Sequence, residues 1–131
     1  MSEVPLTEPE WERLVEAAES EVLATLRSLP ATVSDQAGKV PVTFEHAPDQ
    51  ELVDDGIEAD TLGMFFGVSY ADEISSDSPL PPHIVLYLEN IWDFAEGDMA
   101  VCKSEVRTTL LHELGHYLGL DEDDLFDRGL E

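Results

Sequence analysis

The sequence predicts an α+β fold in which a short mixed β-sheet packs against an N-terminal helix and a C-terminal helix. Apolar residues recur at helical spacing from Thr7 to Leu29, and again in the last long segment, from about Asp98 to Leu118. Between these two segments, Val40–His46 alternates apolar and polar residues, and His83–Leu88 is an almost continuous apolar run. These observations predict two long helices, one before the strands and one after them along the chain.

Turn residues and apolar content divide the rest of the chain into shorter segments. Thr7 is a suitable N-cap for the first helix, and Pro30 ends that helix. The other predicted segments are a loop over Pro48–Asp60, a strand or hairpin over Thr61–Tyr70, a loop over Ala71–Pro82, a short helix over Asn90–Glu96, and a turn or short helix over Asp121–Leu130.

Length and composition predict a single domain over residues 1–131. Hydrophobic residues make up 43% of the chain, which is typical of a globular protein. We expect no membrane span, because no apolar run is long enough, and no signal peptide, because the N-terminus has neither a basic nor an apolar stretch. Cys102 is the only cysteine, so a disulfide within the chain is excluded and a cytoplasmic location is expected.

The charge is strongly negative. Six Lys and Arg residues stand against 30 Asp and Glu residues, which gives a formal net charge of −24. This balance argues against nucleic acid and anionic membranes as partners, because their phosphates would be repelled. It would suit basic substrates, but the acids are spread along the chain, which favours a role in solubility or in tolerance of salt.

The last long helix carries an H-E-x-x-H motif. His112 and His116 are four residues apart, so they are neighbours on one helix face and can direct two imidazoles at one metal ion. Glu113 lies about 100° round the helix from His112. That position suits a general base acting on a metal-activated water better than it suits a ligand. The sequence therefore predicts His112 and His116 as zinc ligands and Glu113 as the catalytic residue.

The motif extends beyond the second histidine. Gly119 is predicted to end the helix in the left-handed conformation, and the reversal would bring Glu122 back towards the histidines as a third ligand. Gly115 lies inside the helix, where glycine is unfavourable, so we expect close approach of another backbone there. The apolar stripe of this helix, centred on Leu110 and Leu114, lies opposite the histidines and should face the core.

These segments resemble the small bacterial zincin-like metallopeptidases, sometimes called minimal zincins. The resemblance spans residues 5 to 131 and includes three segments besides the motif, Thr61–Gly67, Leu80–Tyr87 and Glu105–Thr109. It implies a zincin-like fold, zinc as the cofactor, and a peptide or protein as the substrate. It also implies that His112, His116 and the acid after Gly119 bind the metal.

The chain departs from related patterns in several ways. Many relatives would have Asp where this chain has Glu122, so Asp121, Asp123 and Asp124 stay open as alternative ligands. A third motif histidine and a methionine turn, as in metzincins, are absent from the sequence. The sequence does not identify an oxyanion stabiliser, and the candidates are Tyr70, Tyr87, His83 and His46.

Three functions follow as hypotheses. The first is zinc-dependent hydrolysis of peptide bonds. The second is a zinc- or peptide-binding zincin-fold module with little or no turnover, suggested by the short chain after the motif. The third is a metal-free structural domain with a solvated histidine pair. The oligomeric state does not follow from the sequence.

Overall fold

A computed structural model describes residues 6–67 and 82–119. Within these ranges the chain forms five helices and three strands. In chain order they are α1 (Glu8–Ser28), α2 (Ala31–Ala37), β1 (Val42–Glu45), α3 (Gln50–Asp54), β2 (Gly63–Phe66), β3 (His83–Tyr87), α4 (Leu88–Phe94) and α5 (Met99–Leu118). This arrangement confirms the predicted α+β fold with a small mixed sheet.

The first helix begins at a capping box. The Glu10 amide donates to Thr7 Oγ1 at 3.3 Å, and the Thr7 amide donates to Glu10 Oε1 at 2.8 Å. These two bonds use backbone donors that would otherwise have no partner in the first turn. The helix buries Leu14, Ala18 and Val22 in the core. The predicted N-cap is therefore confirmed.

The sheet has the order β1-β3-β2, with β3 in the centre. β1 pairs with β3 in parallel and β2 pairs with β3 antiparallel, so the sheet is mixed. The central strand is buried from Ile84 to Tyr87, as its continuous apolar run predicted. β2 lies at one edge of the sheet.

The helix α5 carries the motif and packs against α1, α4, β2 and β3. It begins at Asp98, whose carboxylate accepts hydrogen bonds from the amides of Ala100 and Val101. It ends at Gly119, which has a φ of 72° in the left-handed region, as predicted. Gly115, where we expected close packing, is buried.

Several predicted boundaries were wrong. Residues predicted to lie in a loop form the short helix α3, because Asp49 caps it through a bond from the Leu52 amide. The helix α2 was not predicted. The fourth helix begins at Leu88 rather than Asn90, so it follows β3 without a loop. The predicted loop over Ala71–Pro82, except Pro82 itself, and the predicted segment Asp121–Leu130 lie outside the described residues.

Two features concern membrane-spanning helices and the single cysteine. In the part of the chain that the structure describes, no helix is long and apolar enough to cross a membrane. Cys102 is buried on α5, and this burial raises the pKa of its thiol to about 11. A thiol with that pKa stays protonated near neutral pH, so Cys102 acts as a small hydrophobic core residue.

Burial predicts a large effect of shortening Leu114, which is 1% exposed. Leu114→Ala should reduce the free energy of unfolding by roughly 2–5 kcal/mol, because it leaves a cavity between α5 and its neighbours. Urea unfolding would measure the change. Leu23→Ala is the matched control, since Leu23 on α1 is 52% exposed. An effect of Leu114→Ala below about 0.5 kcal/mol, the range of surface substitutions, would contradict the packing of α5.

Candidate metal and catalytic site

The two motif histidines lie side by side on the exposed face of α5. The ring centroids of His112 and His116 are 4.7 Å apart, and the rings are inclined by 58°. Both residues are exposed to solvent. The i, i+4 spacing therefore gives two accessible imidazoles on adjacent turns, which is the donor type that zinc and related transition metals accept.

The third predicted ligand lies outside the described residues. Glu122 and its alternatives Asp121, Asp123 and Asp124 all follow Gly119, the last described residue. Within residues 6–67 and 82–119, no three His, Cys, Asp or Glu side chains form a group that could hold a metal ion. The two described histidines fit a metal as part of a ligand set, and that set needs at least one further donor.

Glu113 is buried, in contrast to the histidines beside it. Its exposed fraction is 7%, and its Oε1 lies 3.9 Å from Nδ1 of His116. Burial raises the pKa of this carboxyl, while the neighbouring His112 and a hydrogen bond from the Phe65 amide oppose the rise. A carboxyl whose pKa is raised towards neutral is suited to accepting and returning a proton.

The Phe65 amide comes from the edge strand β2. The Tyr87 amide donates to the Leu62 carbonyl, and backbone groups alternate in direction along an antiparallel strand. Phe65 is therefore at a position whose backbone groups face away from β3. The Phe65 backbone lies near enough to the Glu113 carboxyl to lower its pKa, against the larger effect of burial. A backbone group carries no side-chain signal, so the sequence did not predict this contact.

Two further contacts join β2 to α5. The rings of Phe65 and Tyr117 are 5.7 Å apart at an angle of 50°. A Cβ added at Gly63 would lie 2.6 Å from Cγ2 of Thr109, so the absence of a side chain at Gly63 allows β2 to lie close to the helix. These contacts place the edge strand directly beside the motif.

The oxyanion candidates lie in different places. His83 stacks on Phe66, with ring centroids 5.0 Å apart. Because Phe65 faces α5, its neighbour Phe66 and the cross-strand partner His83 lie on the opposite face of the sheet. Tyr87 ends β3, three residues or about 10 Å from the partner of Phe65. Tyr70 lies outside the described residues.

His46 belongs to a separate cluster that follows β1. Its ring stacks on Trp11 at a centroid distance of 3.8 Å, and its Nδ1 lies 3.0 Å from Oε2 of Glu89. Tyr87 lies at the same end of the sheet, where burial, Glu45 and Asp49 raise the pKa of its hydroxyl. These contacts give His46 and Tyr87 structural partners away from the motif histidines.

The raised pKa of Glu113 predicts a stability cost in the metal-free protein. The folded chain holds this proton to higher pH than the unfolded chain, so stability falls as pH rises above the ordinary carboxyl pKa of 4.5. Glu113→Gln should therefore raise the midpoint of thermal unfolding at pH 7, and the gain should shrink below pH 4.5. Glu12→Gln, on the exposed side of α1, controls for the loss of one negative charge. An equal gain from both substitutions would contradict a specific cost at Glu113.

Comparison with families of known proteins agrees with this geometry. The family model for zincin-like metallopeptidases matches residues 37–130, from the end of α2 through the sheet, α4 and α5. The match begins at residue 37, so it leaves out α1, which the resemblance described from the sequence had included. A search of curated proteins gave no match. Because the family model covers most of the chain, including the motif, this chain belongs to the zincin-like metallopeptidase family.

Proposed function

We propose that the protein is a zinc-dependent metallopeptidase that hydrolyses peptide bonds. His112, His116 and Glu122 would hold the zinc ion, and Glu113 would serve as the general base. One observation carries the proposal. The exposed histidine pair lies next to a buried carboxylate, and that carboxylate is in contact with the edge strand of the sheet. A solvated histidine pair on a structural helix would need neither the buried glutamate nor the adjacent strand.

The residues of the site that the structure describes would each have a role in this reaction. Zinc, when bound, supplies a Lewis acid that polarises a water molecule and lowers its pKa. Glu113 takes a proton from the attacking water and returns it to the leaving amine. The Phe65 backbone of β2 lies near this carboxyl and favours its charged form, while burial opposes that form. The two imidazoles stay on adjacent turns because α5 is buried on its other sides.

The edge strand supports a peptide as the substrate. An extended chain can add to an exposed strand through main-chain hydrogen bonds. Among the described residues, β2 is an edge strand with partly buried residues, and it packs against α5, the helix that carries the motif. The net charge of −24 favours a peptide or protein over a nucleic acid or an anionic membrane. The single cysteine, buried as a thiol, supports a place in the cytoplasm.

Zinc binding should be stoichiometric and should depend on the motif. Protein loaded with zinc and then dialysed should contain one zinc ion per chain by elemental analysis, because two imidazoles and a carboxylate form a ligand set that leaves one position open. His116→Ala should abolish this binding. His46→Ala is the control, since His46 is an exposed histidine outside the motif. Zinc below about a tenth of an equivalent would contradict the proposal, given how tightly protein zinc sites bind.

The two carboxylates should have separable roles. Glu113→Gln keeps the shape of the side chain but cannot accept the proton, so zinc should remain while hydrolysis is lost. Glu122→Ala removes a ligand, so zinc affinity should fall by roughly 10-fold or more, at least as much as the loss of a group that only orients a ligand. A zinc titration and a peptide-library cleavage assay on both variants would measure these effects, with Glu105→Gln as the control on α5.

Other results would assign other roles. Unchanged zinc affinity in Glu122→Ala would move the third ligand to Asp121, Asp123 or Asp124. Full hydrolysis by Glu113→Gln would show that the base assignment is wrong. If the parent protein binds zinc and peptides but cleaves none of the library, the binding-module hypothesis would replace the peptidase.

A further inference from the structure

The edge strand β2 is apolar on both of its faces. Its four residues are Gly63, Met64, Phe65 and Phe66, and each of them is partly buried. Because side chains alternate between the two faces of a strand, a shift of one residue would bring each of them to the other face. The ring of Phe65 lies beside the ring of Tyr117 on α5. After a shift, Met64 or Phe66 would take that place, so the apolar pattern of β2 does not select its register.

Gly63 restricts the register only while β2 stays close to α5. A Cβ at this position would lie 2.6 Å from Cγ2 of Thr109. In a shifted register, Leu62 or Met64 would bring a Cβ to this point, and that atom would clash with the threonine methyl. A strand that moved away from the helix would avoid the clash, so a further contact has to hold the start of β2.

The turn before β2 is held by the side chain of Asn90 on α4. Its Nδ2 donates to the carbonyl oxygens of Ala59 and Thr61, each at 2.9 Å. A side-chain amide nitrogen has two hydrogens, so this group uses both of its donors on the turn. The turn itself is closed by Thr61, whose amide and hydroxyl donate to the Glu58 carbonyl at 3.2 Å and 2.7 Å. Asn90 therefore binds a turn that already has a defined shape.

Asn90 has a fixed position relative to the central strand. β3 ends at Tyr87 and α4 begins at Leu88, with no loop between them. The Tyr87 amide donates to the Leu62 carbonyl at 2.9 Å, so this junction of strand and helix binds the carbonyl groups of two consecutive residues, Thr61 and Leu62. A shift of one residue moves a strand by about 3.3 Å. Hydrogen bonds from nitrogen to oxygen hold only to about 3.2 Å, so that displacement would break both bonds to Asn90.

The register decides which backbone groups β2 presents at its other edge. Among the described strands, only β3 pairs with β2. The hydrogen bond between Tyr87 and Leu62 makes alternate residues of this segment bond to β3. The backbone groups of Gly63 and Phe65 therefore face away from β3. A shift of one residue would replace them at this edge by those of their neighbours.

We propose that Asn90 is a positioning residue, which holds β2 in register with β3 and so determines the backbone groups that the edge offers to a peptide substrate. The part of this inference that concerns the substrate rests on the proposed peptidase function. The part that concerns the register is a property of the metal-free protein and can be tested separately.

The register can be measured without any activity. Asn90→Leu removes both donors and keeps a side chain of similar size. Phe65 and Ile84 form a pair without mutual hydrogen bonds, in which the two backbones come closest, so their Hα atoms should give a strong nuclear Overhauser effect in the zinc-free parent. In Asn90→Leu this signal should be lost or should move to a neighbouring residue. The Met64 amide, which faces β3, should exchange with solvent roughly 10-fold faster or more, because two hydrogen bonds no longer hold the strand.

Gln50→Leu is the matched control. The Gln50 side chain is also an amide donor, and it bonds to Asp54 Oδ1 at 2.8 Å within α3. Its replacement removes a side-chain amide in the same way but leaves the turn before β2 intact, so both NMR measurements should match the parent. Asn90→Asp is a second test variant, since it keeps the shape of the side chain and has no donor as a carboxylate. At pH 7 it should behave like Asn90→Leu.

Peptide cleavage gives a further readout. An edge strand holds the substrate and the transition state alike, so its disturbance raises KM more than it lowers kcat. KM of Asn90→Leu should rise by roughly 10-fold while kcat stays within about twofold of the parent. Zinc affinity should not change, since His112 and His116 lie on the exposed face of α5. General destabilisation would instead lower the active fraction, and with it kcat, at an unchanged KM.

Two results would overturn the inference. One is an Asn90→Leu protein that keeps the signal between Phe65 and Ile84 together with the parental exchange of Met64. The other is a fall in kcat with an unchanged KM, which would leave Asn90 a role in stability alone.

The remaining outcomes also decide. If the parent cleaves no peptide, the proposed function fails, and the NMR measurements still test the register. If Asn90→Leu does not fold, Asn90→Asp takes its place in every measurement. Failure of both variants to fold would overturn the inference, because Asn90 would then be required by the whole fold and not by the register of one strand.

Discussion

The site depends on the burial of α5 on nearly all sides except the one that carries the histidines. Leu110 and Leu114 are almost completely enclosed, and contacts with α1, α4, β2 and β3 surround the helix. A helix held this way cannot rotate or slide without exposing its leucines. The imidazoles therefore keep their relative positions without any hydrogen bond that fixes them within the described residues. The packing of α5 therefore fixes the positions of the two imidazoles, whereas in many metal sites hydrogen-bonded partners orient the ligands.

The position of Glu113 shows a conflict between stability and chemistry. A carboxylate in a buried position opposes folding, and a leucine there would suit the packing of α5 better. One hydrogen bond from the Phe65 amide and the nearby His112 offset part of the burial cost. The remaining cost raises the pKa of Glu113, and a raised pKa suits the proton transfer that we propose for this group. A residue that lowers stability and prepares a reaction is typical of a functional site.

Much of the fold followed from the sequence because periodic apolar patterns are local. Thr7, Pro30, Asp98 and Gly119 mark helix ends through short-range chemistry, and the central strand was clear from its apolar run. The short helices α2 and α3 were missed because neither contains enough turns to show a period. Spacing alone predicted that the two histidines are neighbours with Glu113 beside them, and the roles of these residues stay predictions. The position of the Phe65 backbone near Glu113 could not be predicted, because the pairing of β2 with β3 brings it there.

Gly63 illustrates how a long-range constraint stays hidden in a sequence. In the chain it resembles a strand breaker, and the natural interpretation is a bend between Leu62 and Met64. In the fold it is part of a regular strand, and its missing side chain matters to Thr109, which lies 46 positions later. Thr109 is itself buried on the side of α5 that the apolar pattern left unassigned. The buried surface of α5 is therefore wider than the stripe of leucines, and the additional part faces the edge strand. That additional surface, formed by Thr109 and Glu113 beside Tyr117 of the predicted stripe, lies against the edge strand.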